Sequence, residues 1–298
     1  MRMEVDDVKL FFDIEGSKLR PDGPAMRQVP TLLLLHGGPG FDHSGFKPAF
    51  TEMAVVAQVV YLDLRGNGRS DGGAANKWSL EQWAEDVHCL CETLSIDAPI
   101  VMGHSLGGIV AMVCAMRYPD HPSKLILSST STQPTVGDRS FDVFDRLGGP
   151  RARAAATAFW TDPNEASLTG YEEVCIPLYT RTAPPAGFYE RAVRNPAMRL
   201  VFFEPELRRL DLLRQLDRIK CPTLIVAGED DPITPVADME DIAVAIGSDL
   251  VRAFHQRRSR RLSRSAGSFF PRVARFYSGL KVPAVAPLAL CAWLRMTQ

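Results

Sequence analysis

The chain has 298 residues, 46% of them apolar and 23% charged, with a formal net charge of -1. These values suit one large globular domain, or a core carrying an insertion, and exclude wholesale disorder. The small net charge hides a split: residues 251–298 hold ten basic residues and no Asp or Glu, which leaves 24 basic against 35 acidic residues in 1–250, so that -11 is followed by +10.

In chain order, the first thirteen residues alternate charge with hydrophobe, which excludes a signal peptide. Within this stretch, Met3–Ile14 reads as an antiparallel strand or hairpin arm. Thr31–Leu35 is an aliphatic run ending in His36-Gly37-Gly38-Pro39-Gly40. Val59–Leu62 is another, ending in Asp63-Leu64-Arg65-Gly66-Asn67-Gly68-Arg69-Ser70. Ser79 and Gln82 have capping-box spacing and open a helix to about Leu94. Pro99–Met102 is a buried-type strand, Ser105–Tyr118 a helix rich in small and apolar residues, and Lys124–Ser128 a further strand. From about Thr130 to Asp217 the strand rhythm stops, and the stretch reads as an insertion made mainly of helices. The sheet resumes at Pro222–Ala227, with a helix at about Pro235–Ile246 and a last strand at Asp249–Phe254. Short apolar runs alternating with helices predict a mostly parallel sheet covered by helices. No run of about 18 apolar residues predicts a membrane span; the nearest candidate, Val282–Leu294, is broken by Pro283 and Pro287. Six cysteines (Cys89, Cys91, Cys114, Cys175, Cys221, Cys291) show no metal-ligand spacing and read as reduced thiols of a cytoplasmic protein.

Three strings carry chemistry. Gly103-His104-Ser105-Leu106-Gly107 is a G-x-S-x-G pattern between a buried strand and a helix. A serine held in a strained strand-to-helix turn needs small residues on both sides, which makes Ser105 the candidate nucleophile. Such a turn sends neighbouring side chains elsewhere, so His104 reads as a packing residue. In His36-Gly37-Gly38-Pro39-Gly40 the glycines let the backbone approach a substrate carbonyl. The N–H groups of Gly38 and Leu106 are the candidate oxyanion-hole donors. This string lacks the Lys-Ser/Thr ending of a phosphate loop. Asp231 follows the Pro222–Ala227 strand, where an acid faces the crevice of an open α/β sheet and can orient a histidine. Glu229 and Asp230 are the adjacent alternatives.

Together the His-Gly-Gly-Pro-Gly, Asp-Leu-Arg-Gly-Asn-Gly-Arg-Ser and Gly-His-Ser-Leu-Gly-Gly strings resemble those of the α/β-hydrolase superfamily, over residues 1–254. The first is similar to that of the proline iminopeptidase family and its esterase-like relatives. The elbow departs from the peptidases' Gly-Gly-Ser-(aromatic)-Gly and resembles that of esterases and lactonases. Serine rather than aspartate at 105 argues against an epoxide hydrolase or haloalkane dehalogenase. The resemblance implies an α/β-hydrolase fold, with a mostly parallel central sheet flanked by helices and an inserted helical cap. It divides the chain into core (1–129), cap (130–217), core (218–256) and an atypical basic tail (257–298) expected to be poorly ordered. It implies a serine hydrolase of a carboxylic ester or amide acting through an acyl-enzyme, esterase-like, with a proline iminopeptidase-type aminopeptidase as the alternative. No cofactor or metal is implied. The expected partner is a small ester, an amide or a short peptide, with no nucleic acid or membrane. The cap is rich in apolar rings (Phe159, Trp160, Tyr171, Tyr179, Phe188, Tyr189, Phe202, Phe203), which suits an apolar acyl or prolyl group. In the peptidases cap glutamates bind the substrate amine; Glu172, Glu173, Glu204 and Glu206 could serve, although solvated surface acids are the plainer reading.

The resemblance also implies a Gly-His after the last strand and then an Asp-x-Pro-Glu helix start. Neither string occurs. Of the histidines His36, His43, His88, His104, His121 and His255, only His255 stands near the required place, as candidate base or as a loop histidine without a catalytic role. A catalytically impaired hydrolase-fold protein is therefore a third reading. A shift of reading frame after about Gln256 would explain both the missing ending and the charge split. Permitted codons for Arg257–Phe276, read one base later, can give Gly-Gly-His-Gly-Val-Tyr-Arg-Asp-Arg-Pro-Glu-Ala-Phe-Phe-Arg-Val-Leu-Arg-Asp-Phe, with the histidine where Ser259 now stands. The middle base of each shifted codon is free and the other two are fixed. The competing account, a nucleic-acid or anionic-surface patch at Arg257–Arg264, lacks interleaved aromatics.

Overall fold

The computed structural model describes residues 1–133, 135–180, 186–203 and 211–253. The alternating start of the chain forms a hairpin of β1 (Arg2–Val5) and β2 (Val8–Glu15). A small separate ribbon follows, β3 (Leu19–Asp22) with β4 (Ala25–Gln28), which the sequence pattern does not announce. The aliphatic runs become β5 (Thr31–Leu35), β6 (Gln58–Leu62), β7 (Ile100–His104), β8 (Lys124–Ser128) and β9 (Thr223–Gly228), and β10 (Asp249–Ala253) closes the series. They form one eight-stranded sheet in the order β1-β2-β6-β5-β7-β8-β9-β10. β6 to β10 and β5 run parallel, and only the β1/β2 edge is antiparallel.

A strand buried on both faces reads as a continuous apolar run, because each side chain meets one of two cores. β5 shows this directly. Leu33 and Leu35 join one core with Val60, Leu62, Val101 and the helices α1 (Leu80–Thr93), α2 (Leu106–Arg117) and α5 (Val236–Ile246). Leu32 and Leu34 join the other, with Val59, Tyr61, Met102 and the 3-10 segments carrying Phe46 and Met53. α1 starts where the spacing places it: the Ser79 side chain accepts the Gln82 N–H at 3.2 Å. The box is only half formed, because the Gln82 side chain reaches Asp86 instead.

β8 and β9 are adjacent in the sheet, yet nearly a hundred residues separate them. That connection holds α3 (Asp138–Thr161), α4 (Glu165–Val174) and short 3-10 segments, with no strand among its described residues. α3 bends at Gly149, whose φ is 72°, just before Pro150. Arg139 on α3 pairs with Asp238 and Asp241 of α5, tying the insertion to the core. No helix among the described residues is long and apolar enough to cross a membrane.

The register lines up the strand ends. Leu35 pairs with both Leu62 and Gly103, Gly103 with Leu127, and Leu127 with Ile225. The loops beginning at His36, Asp63, Ser105, Ser129 and Glu229 therefore leave from one edge of the sheet. The C-terminal ends of parallel strands form the ligand crevice of open α/β sheets.

Candidate active site

Ser105 stands between β7 and α2 with φ 51° and ψ -121°. That conformation costs a non-glycine residue on the order of 1–3 kcal/mol and persists only where surroundings impose it. Here they do. The Ser105 N–H donates to Ser128 O at 3.1 Å, and the Thr130 hydroxyl donates to Ser105 O at 2.7 Å. The flanking glycines are sterically required: a Cβ at Gly103 would lie 2.2 Å from Gly107 O, and one at Gly107 would lie 2.1 Å from Leu35 O. The helix behind the serine begins at Leu106, so its first N–H groups have no intrahelical partner and point toward the turn.

The His36–Gly40 loop lies against this elbow. A Cβ on Gly37 would be 3.1 Å from Ser105 Cβ. Gly38 has φ 147°, open only to glycine, and Gly40 has φ 88°. His36 is buried and structural: it accepts the Leu64 N–H on Nε2 at 3.1 Å and faces Gly37 O through Nδ1 at 2.6 Å. Burial holds its pKa below the ordinary histidine value despite the nearby Asp63.

The Asp63–Ser70 string supports the loop from below. Asn67, fully buried, accepts the Gly40 N–H at 2.6 Å and donates to Arg65 O at 2.9 Å. Asp63 accepts from His43 Nδ1 at 2.6 Å, from the His43 N–H at 2.9 Å and from the Arg69 N–H at 2.9 Å. Burial would raise the Asp63 pKa, but the His43 bond and the neighbouring charges bring it below the usual carboxylate value. Asp42, His43 and Asp63 have the composition of a metal-ligand group. Arg69 already neutralises it, 2.6 Å from Asp42 and 3.8 Å from Asp63. A cation would compete with that guanidinium and with the His43–Asp63 hydrogen bond. The string's other arginine, Arg65, is fully buried and forms two 2.7 Å bonds to Asp86 and one to Asp7.

Asp231 follows β9 at the same edge. Its Oδ1 accepts the N–H groups of Ile233 and Thr234, both at 2.9 Å, and its Oδ2 accepts the Thr234 hydroxyl at 2.8 Å. Burial nonetheless keeps its pKa above the ordinary aspartate value, against the pull of these donors and of the Ser129 hydroxyl. Ser129 has φ 41° and follows β8, the strand between those that carry Ser105 and Asp231. The two neighbouring acids are placed differently. Asp230 pairs with Arg146 of α3 at 2.5 Å, and Glu229 is exposed.

The histidines sort by their surroundings. His104 has Nδ1 3.2 Å from Ser128 O and its ring beneath Gly37; burial pushes its pKa down to about 4. His43 is bound to Asp63 and stacked on Phe11. His88 stacks on Tyr118 and faces His121, on the helical layer. The hydrogen bonds of His36, His43 and His104 given above go to neither Ser105 nor Asp231, and His255 lies outside the described residues. So do Ser259 and the whole basic tail, as well as Glu204 and Glu206. Glu173 sits at the surface against Arg151, and Glu172 is exposed.

The sequence profile of the alpha/beta hydrolase fold matches residues 30–257, more than three quarters of the chain. The chain belongs to the α/β-hydrolase fold family. Its match to "Putative carbamate hydrolase RutD" of Shigella flexneri is 27% identical over 242 residues, covering 77% of this chain and 84% of the relative. Among solved structures it is similar to a proline iminopeptidase of Mycobacterium smegmatis, with TM-score 0.69 and 20% identity over 98% and 99% of the two chains. It is also similar to Est816, described as an N-acyl homoserine lactone degrading enzyme, with TM-score 0.59 and 22% identity over 99% of each chain. At these identities the solved structures establish the shared fold. The family profile and the hydrolase-named relatives make the chain an enzyme of ester or amide bonds. The sequence strings point to Ser105 and Asp231. They do not single out Asn67, Thr234 or Ser129, whose partners are distant or lie in the backbone.

Proposed function

We propose that the chain is a serine hydrolase of carboxylic esters or amides, esterase-like, with Ser105 as nucleophile and Asp231 as orienting acid. The observation that carries this reading is the backbone of Ser105, held at φ 51° by Ser128 and Thr130 with the glycine loop packed against it. A strained, over-determined serine at the start of a helix is the arrangement an exposed nucleophile needs.

In this mechanism Ser105 Oγ attacks the carbonyl carbon while an imidazole takes its proton. The N–H groups of Gly38 and Leu106 stabilise the oxyanion, the leaving alcohol or amine takes the proton, and water then cleaves the acyl-enzyme. Asp231 accepts the imidazole N–H and favours the imidazolium. Its carboxylate is already oriented by three donors, so its position does not depend on the histidine. The base is His255 in the chain as written, or the histidine that a restored frame would place at position 259.

The aminopeptidase alternative draws support from the likeness to the proline iminopeptidase. The surface position of Glu173, paired with Arg151, supports the esterase instead, since an acid meant for a substrate amine is not spent on a solvent-facing pair. Two assays decide. Hydrolysis of p-nitrophenyl butyrate that is lost in Ser105→Ala, with no cleavage of prolyl-p-nitroanilide, supports the esterase; the reverse preference overturns it. Labelling by a fluorophosphonate probe reports whether Ser105 is activated at all, and survival of labelling in His255→Ala removes His255 as the base. Sequencing the gene across codons 250–280 tests the frame: the idea fails if no single-base shift restores Gly-His and Asp-x-Pro-Glu.

A further inference from the structure

The inserted segment between β8 and β9 reaches back across the sheet edge and grips the His36–Gly40 loop. We infer that Asn195 is a positioning residue, through which this segment sets the position of the loop beside Ser105. The backbone N–H of Asn195 donates to Gly40 O at 2.9 Å. Its side-chain Nδ2 donates to Gly66 O at 2.8 Å, and its Oδ1 accepts the Ala197 N–H at 3.2 Å. Gly40 is thus held on both polar groups: its N–H by the core residue Asn67 at 2.6 Å, and its carbonyl by the inserted segment. Both contacts are made two residues from Gly38.

Neighbouring contacts give the grip direction. The Val193 N–H donates to Asp42 Oδ2 at 3.2 Å, and the Arg191 guanidinium donates to Lys47 O, so the strap runs along the loop rather than touching it once. Met198, fully buried, closes the far end: a Cβ on Gly66 would lie 2.8 Å from its sulfur. Asn195 is the member that ties both Gly40 and Gly66 with one residue. Its side chain fixes the local turn, and its N–H then meets the Gly40 carbonyl. Without the amide, the strap loses its bond to Gly66 and the loop loses a fixed partner for Gly40.

The catalytic consequence rests on the serine-hydrolase reading, because it concerns donors aimed at an oxyanion. Misplacing such groups by about 1 Å can cost roughly a hundredfold in rate. The test compares wild type, Asn195→Ala and Asn195→Asp in two measurements. Hydrogen exchange of peptides covering residues 36–44 reads the loop without any substrate. The expected result is faster exchange in both variants, with peptides of β7 and α2 unchanged and thermal midpoints close to wild type. Hydrolysis of p-nitrophenyl butyrate reads the consequence: kcat falls by about tenfold to a hundredfold while KM stays within about twofold. Unchanged exchange overturns the inference, and so does faster exchange with unchanged kcat. A wild-type chain that hydrolyses neither p-nitrophenyl butyrate nor prolyl-p-nitroanilide and takes up no fluorophosphonate at Ser105, yet shows faster exchange in the variants, upholds the grip on the loop and refutes the serine-hydrolase reading instead. Asn195→Gly, which removes the same amide with a different backbone preference, must agree in direction; recovery of wild-type exchange in that variant also overturns the inference.

Discussion

Replacing Arg65 with methionine should destabilise the protein more than any surface change, and by an amount the structure bounds. Arg65 and Asp86 are buried to within 1% of complete. Two 2.7 Å bonds join them, a bidentate pair in which the carboxylate has, among the described residues, Gln82 Nε2 as its further side-chain partner, at 3.0 Å. Removing the guanidinium leaves Asp86 as a buried charge facing an apolar side chain. Breaking a buried pair from one side costs about 3–5 kcal/mol, because the desolvated partner is left uncompensated. Arg65→Met therefore lowers stability by about that amount. At roughly 2–4 °C per kcal/mol for a chain of this size, the thermal midpoint falls by about 6–20 °C. The partner change separates the causes. Arg65→Met with Asp86→Leu removes both charges and leaves the backbone bonds to Arg65 O, from Trp83 and Asn67, in place. The double variant should regain most of the loss, since replacing a buried pair with apolar groups of similar volume is often neutral or better. Thermal melts and denaturant unfolding of the two single variants and the double variant measure all three. A single-variant loss under about 1 kcal/mol would contradict the burial argument. A double variant no better than Arg65→Met would show that packing, not uncompensated charge, sets the cost.

Three further outcomes follow from the same reasoning. Ser105→Gly relieves a positive φ and should raise stability by about 1 kcal/mol while abolishing fluorophosphonate labelling; a fall in midpoint would mean the turn is not strained. Gly103→Ala places a Cβ 2.2 Å from backbone, so the variant should fail to accumulate as folded protein or melt far below wild type; a near-normal melt would refute the close packing of the elbow. His104 is held neutral by burial with its pKa pushed down to about 4. A histidine that protonates more readily unfolded than folded loses stability as pH falls from its ordinary value toward the folded one. The wild-type midpoint should therefore drop between about pH 6.5 and 4, and His104→Gln should drop less over that window; parallel pH profiles would remove His104 as a source of acid sensitivity.

How much of this was legible in the sequence depends on how local the cause is. β5 through β9 could be read because a strand buried on both faces needs an unbroken apolar run, and Thr31–Leu35 supplies one. The ribbon of β3 and β4 could not, because its residues are largely solvent-facing and carry no apolar alternation: Leu19, Met26 and their neighbours are exposed. The elbow was legible because its constraints lie within five residues. Asp231 could be placed by its strand end, but nothing local separates it from Glu229 and Asp230. The separation comes from Arg146, eighty-odd residues away, which takes Asp230, and from Thr234, which turns back onto Asp231. Asn67 and Asn195 were illegible for the same reason: an asparagine that bonds a distant glycine backbone leaves no pattern of its own. The base was not legible at all, since the string that should carry it is absent.

Gly40 has its N–H on the core and its carbonyl on the insertion, and this bears on how such an enzyme could be re-engineered. Segments between two adjacent strands are usually regarded as exchangeable modules that alter which molecules enter, leaving the reaction itself untouched. Here the segment also holds the backbone of the loop packed against Ser105, through Gly40 and Gly66. A chimera that imports a foreign insertion would inherit a new entrance and, unless it also supplied a residue able to hold Gly40 and Gly66, a slackened backbone beside the serine. Substrate range and turnover would then change together, and a screen for new specificity would report poor catalysts for a reason unrelated to substrate fit.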